Sequence, residues 1–253
     1  MIEVRGINKF FGKHQALHDV DFRVEPGEIV ALMGANGAGK STLFDILATV
    51  DPYFTGEAVV AGFDVRRQVA DVRARLGYVP GRFSLYGDLT VRENLDFFAR
   101  AYGCSPEAIR DIAPELWESL APFTDLHAGN MSGGMKQKLT ICCALVHHPA
   151  VLLLDEPTLG VDPQSRHDVW DALFKLGKKG VSILISTHYI DEAAWADKIL
   201  LLHEGRKLIW GSPASVMASY ENVTLEGPVR RSGARTLEDI FIHVLSTQNR
   251  VTP

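Results

Sequence analysis

The run Gly34-Ala35-Asn36-Gly37-Ala38-Gly39-Lys40-Ser41-Thr42 fits the pattern G-x-x-x-x-G-K-[ST]. Glycines at this spacing let consecutive backbone N–H groups turn inward around phosphate oxygens. An apolar run at residues 29–33 precedes the loop and a helix is predicted to open at Lys40, so the helix N-terminus favours the same anion. Lys40 brings a point charge to the β- and γ-phosphates of a nucleotide, and the Ser41 hydroxyl is placed to ligate Mg²⁺. A glycine-rich turn without a ligand is the plainer reading, and the strand-loop-helix context argues against it.

A second group of chemical interest is acidic. Val151-Leu152-Leu153-Leu154 is continuously apolar and ends in Asp155-Glu156. A strand buried on both faces of a parallel sheet reads this way, and ligands sit at the carboxyl ends of such strands. Asp155 would face the metal through water, while Glu156 would polarise an attacking water or take its proton. Alone, such a pair is often a solvated turn. Beside a phosphate loop it becomes chemistry.

These groups need a scaffold. Short apolar runs separated by Gly and Pro alternate with longer amphipathic stretches, which suggests an α/β architecture. Strands are predicted at residues 2–7, 20–24, 29–33, 151–154, 181–186 and 198–202, and helices at 40–49, 164–175 and 190–195. Residues 90–130 differ: helical patterns at 91–101 and 107–120 dominate, marking a candidate helical insertion. Helix resumes from Met131. Beyond Gly211-Ser212-Pro213 the alternation ends, residues 226–235 have loop composition, and Leu237, Ile240, Phe241, Val244 and Leu245 recur at helical spacing. That predicts a short amphipathic helix docked on the body.

Composition narrows the function classes. With 26 Lys+Arg against 31 Asp+Glu the net charge is -5, so general nucleic-acid binding is not expected. The cysteines, Cys104, Cys142 and Cys143, are too few for a disulfide framework and read as reduced, buried thiols of a cytoplasmic protein. No signal pattern and no apolar run of roughly 18 to 20 residues occurs, so any transport role requires membrane partners.

With these motifs in order, nearly the whole chain resembles the ATPases of ABC transporters. Met131-Ser132-Gly133-Gly134-Met135 is similar to the family signature LSGGQ, at a predicted helix start. The resemblance implies that Ser132, Gly133 and Gly134 bind the γ-phosphate of ATP held by an opposite subunit, and a hydroxyl, glycine N–H groups and a helix N-terminus suit an anion. Leu159-Gly160-Val161-Asp162 looks like the D-loop, with Asp162 as its acid, and His188 looks like the switch histidine that senses γ-phosphate. Phe11 aligns with the aromatic residue that stacks on adenine, with Phe10 as the alternative and core packing as the plain reading. The implied fold is α/β: a P-loop NTPase (RecA-like) core with an N-terminal antiparallel β subdomain and an inserted helical subdomain, one ABC ATPase domain over residues 1–253. Residues 1–89 and 148–220 would form the nucleotide-binding core, 90–147 the helical subdomain and 221–253 a C-terminal extension.

The resemblance also has a departure. Gly77-Tyr78-Val79-Pro80-Gly81 matches the Q-loop region, but Gly81 occupies the glutamine's place, and glycine has no oxygen to offer the metal. Slower or partner-dependent hydrolysis is the expectation, with Arg82 as a partial electrostatic substitute. The segments around Leu85–Leu95, SGGMKQKL and LDEPTLGVDP, together with Leu237-Glu238-Asp239-Ile240-Phe241, are similar to the ABC-2-type exporter branch. The expected cofactors are ATP and Mg²⁺. The expected partners are transmembrane permease subunits and a second ATPase, identical or not, at the cytoplasmic face of the membrane. Two rivals remain at this stage: a regulatory partner that holds ATP without turning it over, and a soluble ABC ATPase outside transport.

Overall fold

The computed structural model describes residues 1–81, 85–221, 223 and 236–248. The predicted loop at 226–235 and the substitute Arg82 lie outside them. Two long strands, β1 (Ile2–Phe11) and β2 (His14–Val24), open the chain as an antiparallel pair. Both exceed the predicted 2–7 and 20–24, because pairing continues through polar residues such as Asn8 and Gln15 where the apolar alternation has lapsed. After β3 (Ile29–Met33) and α1 (Lys40–Leu47) come β4 (Thr55–Val60), β5 (Phe63–Asp64), α2 (Val69–Arg73) and β6 (Leu76–Val79). Strands β4 and β5 complete a four-stranded antiparallel sheet in the order β2-β1-β4-β5.

The helical stretch comprises α3 (Val91–Ala101), α4 (Ile109–Ile112), α5 (Pro114–Leu120) and α6 (Gly133–Leu145). Thr90 starts α3 with a reciprocal capping box: its hydroxyl accepts from the Glu93 N–H while the Glu93 carboxylate accepts from the Thr90 N–H. The single helix predicted at 107–120 is instead broken. Pro114 cannot continue an incoming helix and pushes Ala113 to φ -139°, so α5 begins afresh.

The remaining elements are β7 (Val151–Leu154), α7 (Pro163–Lys178), β8 (Ser182–Ser186), α8 (Ile190–Trp195), β9 (Lys198–His203), β10 (Arg206–Gly211), α9 (Pro213–Ser219) and α10 (Leu237–Gln248). A six-stranded sheet runs β10-β9-β3-β8-β7-β6, parallel except for the edge strand β10. Alternate residues of its strands enter two cores. Val30, Leu32, Leu153 and Leu184 face the antiparallel sheet and α1, while Ala31, Leu152, Leu154 and Ile183 face the helices, together with Leu139 and Leu173. Burial on both faces is why these strands are uniformly apolar. The predicted C-terminal helix is α10, docked through Leu237, Ile240, Phe241 and Val244. Among the described residues no helix is long and apolar enough to cross a membrane.

Sheet order decides what meets what. Strands β3, β8, β7 and β6 are neighbours, and their carboxyl ends lead into the phosphate loop, His188, Asp155-Glu156 and Gly81 respectively. Residues far apart in sequence therefore share one edge of the sheet.

Candidate functional site

The loop between β3 and α1 keeps its shape through backbone that side chains would block. Gly39 sits at φ 102°, and a Cβ there would lie 2.7 Å from Leu17 and 2.9 Å from the Ala16 carbonyl oxygen. That close approach also brings the β1–β2 hairpin against the loop. Lys40, only 5% exposed, folds back across the turn: its Nζ donates to the carbonyl oxygens of Gly34 at 2.8 Å and Ala35 at 3.4 Å. Asn36, Gly37 and Ser41 are exposed, Thr42 is half-buried and Ala38 is buried under the loop.

Asp155 is buried and held by two hydroxyls. Ser41 Oγ donates to Oδ2 at 3.1 Å and Ser186 Oγ donates to Oδ1 at 2.6 Å. The next residue, Glu156, adopts φ 52°, a left-handed conformation costly for a residue with a Cβ. Its N–H donates to Ser186 Oγ at 2.8 Å. Its Oε1 lies 2.7 Å from His188 Nε2 and 3.7 Å from Lys40 Nζ. The strained backbone thus aims a carboxylate at His188 and the loop lysine together.

Ser41 and Asp155 offer hard oxygen donors side by side, which suits Mg²⁺, an ion that takes one or two protein oxygens and fills its shell from phosphates and water. Among the described residues no group of three or more His, Cys, Asp or Glu could hold a metal by itself. Gly81 faces the same place: a Cβ there would lie 3.6 Å from Asp155 Oδ2.

The other predicted contacts form separate groups. Ser132 caps α6, its hydroxyl accepting from the Met135 N–H at 3.3 Å, and stays exposed with Gly133. Gly134 is buried instead, packed on Ser165 and Asp162. Asp162 caps α7 by accepting from the Ser165 N–H at 2.9 Å, which holds its carboxyl below the usual range. No hydrogen bond or ion pair among the described residues joins Ser132, Gly133 or Gly134 to the phosphate loop. Phe11 ends β1 at 51% exposure with Lys9 Nζ 4.7 Å from its ring centre, so it is not a core residue. Phe10 is equally open to solvent.

Sequence reading passed over Ser186, Thr158, Thr187 and Glu192. Ser186 and Thr187 were visible only as polar residues closing an apolar strand, and Glu192 as one acid among several on a short helix.

The ABC transporter family model matches residues 17–159. The probable multidrug ABC transporter ATP-binding protein YbhF of Escherichia coli is 36% identical over 97% of this chain, which spans 42% of that relative's length. The Nod factor export ATP-binding protein I of Paraburkholderia xenovorans is 39% identical over 86% of the chain and 73% of its own length. Among solved structures, the ATP-binding subunit of an ABC transporter superposes with a TM-score of 0.82 at 31% identity, covering 96% of this chain and 99% of its own. A dimeric structure of the ATP-binding cassette MJ0796, in a post-hydrolysis state bound to ADP and Pi, gives 0.74 at 26% identity, covering 84% and 98%.

Proposed function

The chain belongs to the ABC transporter family of ATP-binding proteins, and from that membership we propose that it binds and hydrolyses ATP to drive a transporter of the exporter type. The observation that carries the reading is the convergence of Glu156, His188 and Lys40 at the carboxyl ends of neighbouring strands, within 3.7 Å of one carboxylate oxygen.

ATP lies along the loop from Gly34 to Thr42, its base against Phe11 and its phosphates against the N–H groups of Gly37 and Gly39, the Ala38 N–H being held by the Ala35 carbonyl oxygen at 3.1 Å. Lys40 then exchanges its loop carbonyl partners for phosphate oxygens. Ser41 and Asp155 would hold Mg²⁺, which would supply positive charge against the β- and γ-phosphates. Glu156 polarises the attacking water, and His188, fixed on that carboxylate, orients it and stabilises the charge that develops. The exposed Ser132 and Gly133 await the γ-phosphate held by a second ATPase subunit, with Asp162 beside them. Support for such a pair comes from the dimeric state of MJ0796. ATP draws the pair together, and its hydrolysis lets the pair open.

The coupling to a permease is assigned to residues 90–147 and the groove beside them. Val50, Arg73, Tyr78, Phe98 and Tyr102 line a cavity of about 350 Å³ between core and helices. Exposed aromatic rings continue this surface, with Tyr86 and Phe97 4.7 Å apart between ring centres. A short permease helix on the cytoplasmic face of the membrane fits that chemistry. Steady-state ATP hydrolysis by the purified chain with Mg²⁺, over a range of protein concentrations, tests the reading. Specific activity should rise with concentration and vanish in Glu156→Ala. Measurable ATP binding without turnover, with and without permease, would overturn it.

A further inference from the structure

The residues proposed to act on water are held in place by a carboxylate that the mechanism does not use. Glu192, in the first turn of α8, has no exposed surface. Its Oε2 accepts from the hydroxyls of Thr158, at 3.0 Å, and Thr187. The Thr187 hydroxyl in turn accepts from the Tyr189 N–H at 3.0 Å, so the residues on both sides of His188 are anchored to one oxygen. Thr158 lies two residues beyond Glu156, whose left-handed backbone needs restraint from outside. On the other flank, Arg166 Nε stands 3.7 Å from Glu192 Oε1, bonds Asp191 at 3.1 Å and lies over the Tyr189 ring. Arg166 belongs to α7, the helix capped by Asp162.

We propose that Glu192 is a positioning residue that sets the contact between Glu156 and His188 and ties it to the helix behind Asp162. The inference rests on the reading of Glu156 and His188 given above. Burying a carboxylate is costly unless its partners need it, and a core position with no such duty would be served by an apolar side chain. Here one oxygen collects the 156–158 and 187–189 segments. Losing it frees both, and a misplacement of about 1 Å at reacting groups can cost on the order of a hundredfold in rate.

The full-length chain is compared as wild type, Glu192→Ala, Glu192→Gln, Thr158→Val, Thr187→Val and the combination of Glu192→Ala with Thr158→Val. Glu192→Ala should lower kcat by roughly 10- to 100-fold while the Kd for ATP stays within about twofold. Glu192→Gln keeps an oxygen for both hydroxyls and should recover most of the rate. Thr158→Val should lower kcat in the wild-type background and add little to Glu192→Ala, because both cut the same tie. A folded Glu192→Ala variant with wild-type kcat, or full additivity of the two losses, overturns the proposal. Should Glu192→Ala fail to fold, the near-isosteric Thr158→Val and Thr187→Val decide: unchanged kcat in both overturns it.

Amide exchange at Tyr189 supplies a readout independent of turnover. It should quicken in Glu192→Ala or Thr187→Val, and protection equal to wild type counts against the clamp. Glu156→Gln separates the two readings. If it leaves turnover intact, the assignment of Glu156 falls. If it abolishes turnover while the Glu192 and threonine variants are normal, only the clamp falls.

Discussion

Gly81 leaves no side chain beside the Asp155 carboxylate. A Cβ built there meets the Asp155 backbone oxygen at 3.4 Å and Oδ2 at 3.6 Å, ordinary contact distances, so a Cβ is accommodated beside the carboxylate proposed to hold the metal. In the proposed site, water would take the place of a side-chain oxygen, with less orientation. Gly81→Gln is expected to raise Mg²⁺-dependent ATP turnover, by up to on the order of tenfold, and to lower the Mg²⁺ needed for half-maximal rate. Equal rates and equal Mg²⁺ dependence in the two proteins would refute this role. Glu156 gives the complementary case. Glu156→Gln keeps the volume and the contact with His188 but cannot take a proton, so turnover should fall about a hundredfold or more while ATP still binds. The same variant should accumulate as an ATP-bound dimer on size-exclusion chromatography in saturating nucleotide. A monomer there, beside an active wild type, would contradict the proposed sandwich.

At the scale of elements, the packing of α6 on α7 is the tightest constraint near the signature segment. A Cβ on Gly134 would lie 2.3 Å from Ser165 Oγ and 3.1 Å from Asp162 Oδ2, so Gly134→Ala must push these helices apart or break the Asp162 cap. Loss of a cap of this kind costs about 1 kcal/mol, and the disturbance falls on the segment proposed to meet a second subunit. Gly134→Ala should therefore reduce ATP-driven dimerisation more than it reduces ATP binding by the monomer, measured by light scattering and by nucleotide titration. This constraint was not legible in the sequence, where Gly134 reads only as a phosphate contact. The bounds of α3, β7 and α8 were legible, because capping residues, a fully apolar run and helical spacing each mark them locally. Strands β4, β5 and β6 were not. They are short, carry residues such as Gly56, Glu57 and Gly77, and gain their order from partners distant in sequence. The site divides the same way: the loop and Asp155-Glu156 announce themselves by spacing, whereas Ser186, Thr158 and Glu192 acquire meaning only once β7 and β8 lie side by side.

For the molecule as a whole, that juxtaposition has a thermodynamic consequence. Glu192 is buried where α7, α8 and the end of β8 meet, and burial raises its pKa above the ordinary 4.5, against the opposing pull of the Thr187 and Thr158 hydroxyls and of Arg166. Arg166 is the charged group facing it, itself shared with Asp191. In the folded state the carboxyl therefore keeps its proton at pH values where the unfolded chain has released it. The folded protein binds more protons across that window, so this group's contribution is fully present below about pH 4.5 and is lost as pH rises through the raised value. Asp51 and Asp168 act in the opposite sense. Burial alone would raise them, but bonds from Lys9 to Asp51 and from Lys138 to Asp168 outweigh it and lower both below 3.8, so what they contribute is lost as pH falls. Comparing wild type with Glu192→Gln cancels those common terms, since only position 192 ceases to titrate. The urea midpoint of the variant, relative to wild type, should rise between pH 4.5 and pH 8. A constant difference across that range would mean that Glu192 titrates alike in both states, and that the junction stabilises its carboxylate as well as water does.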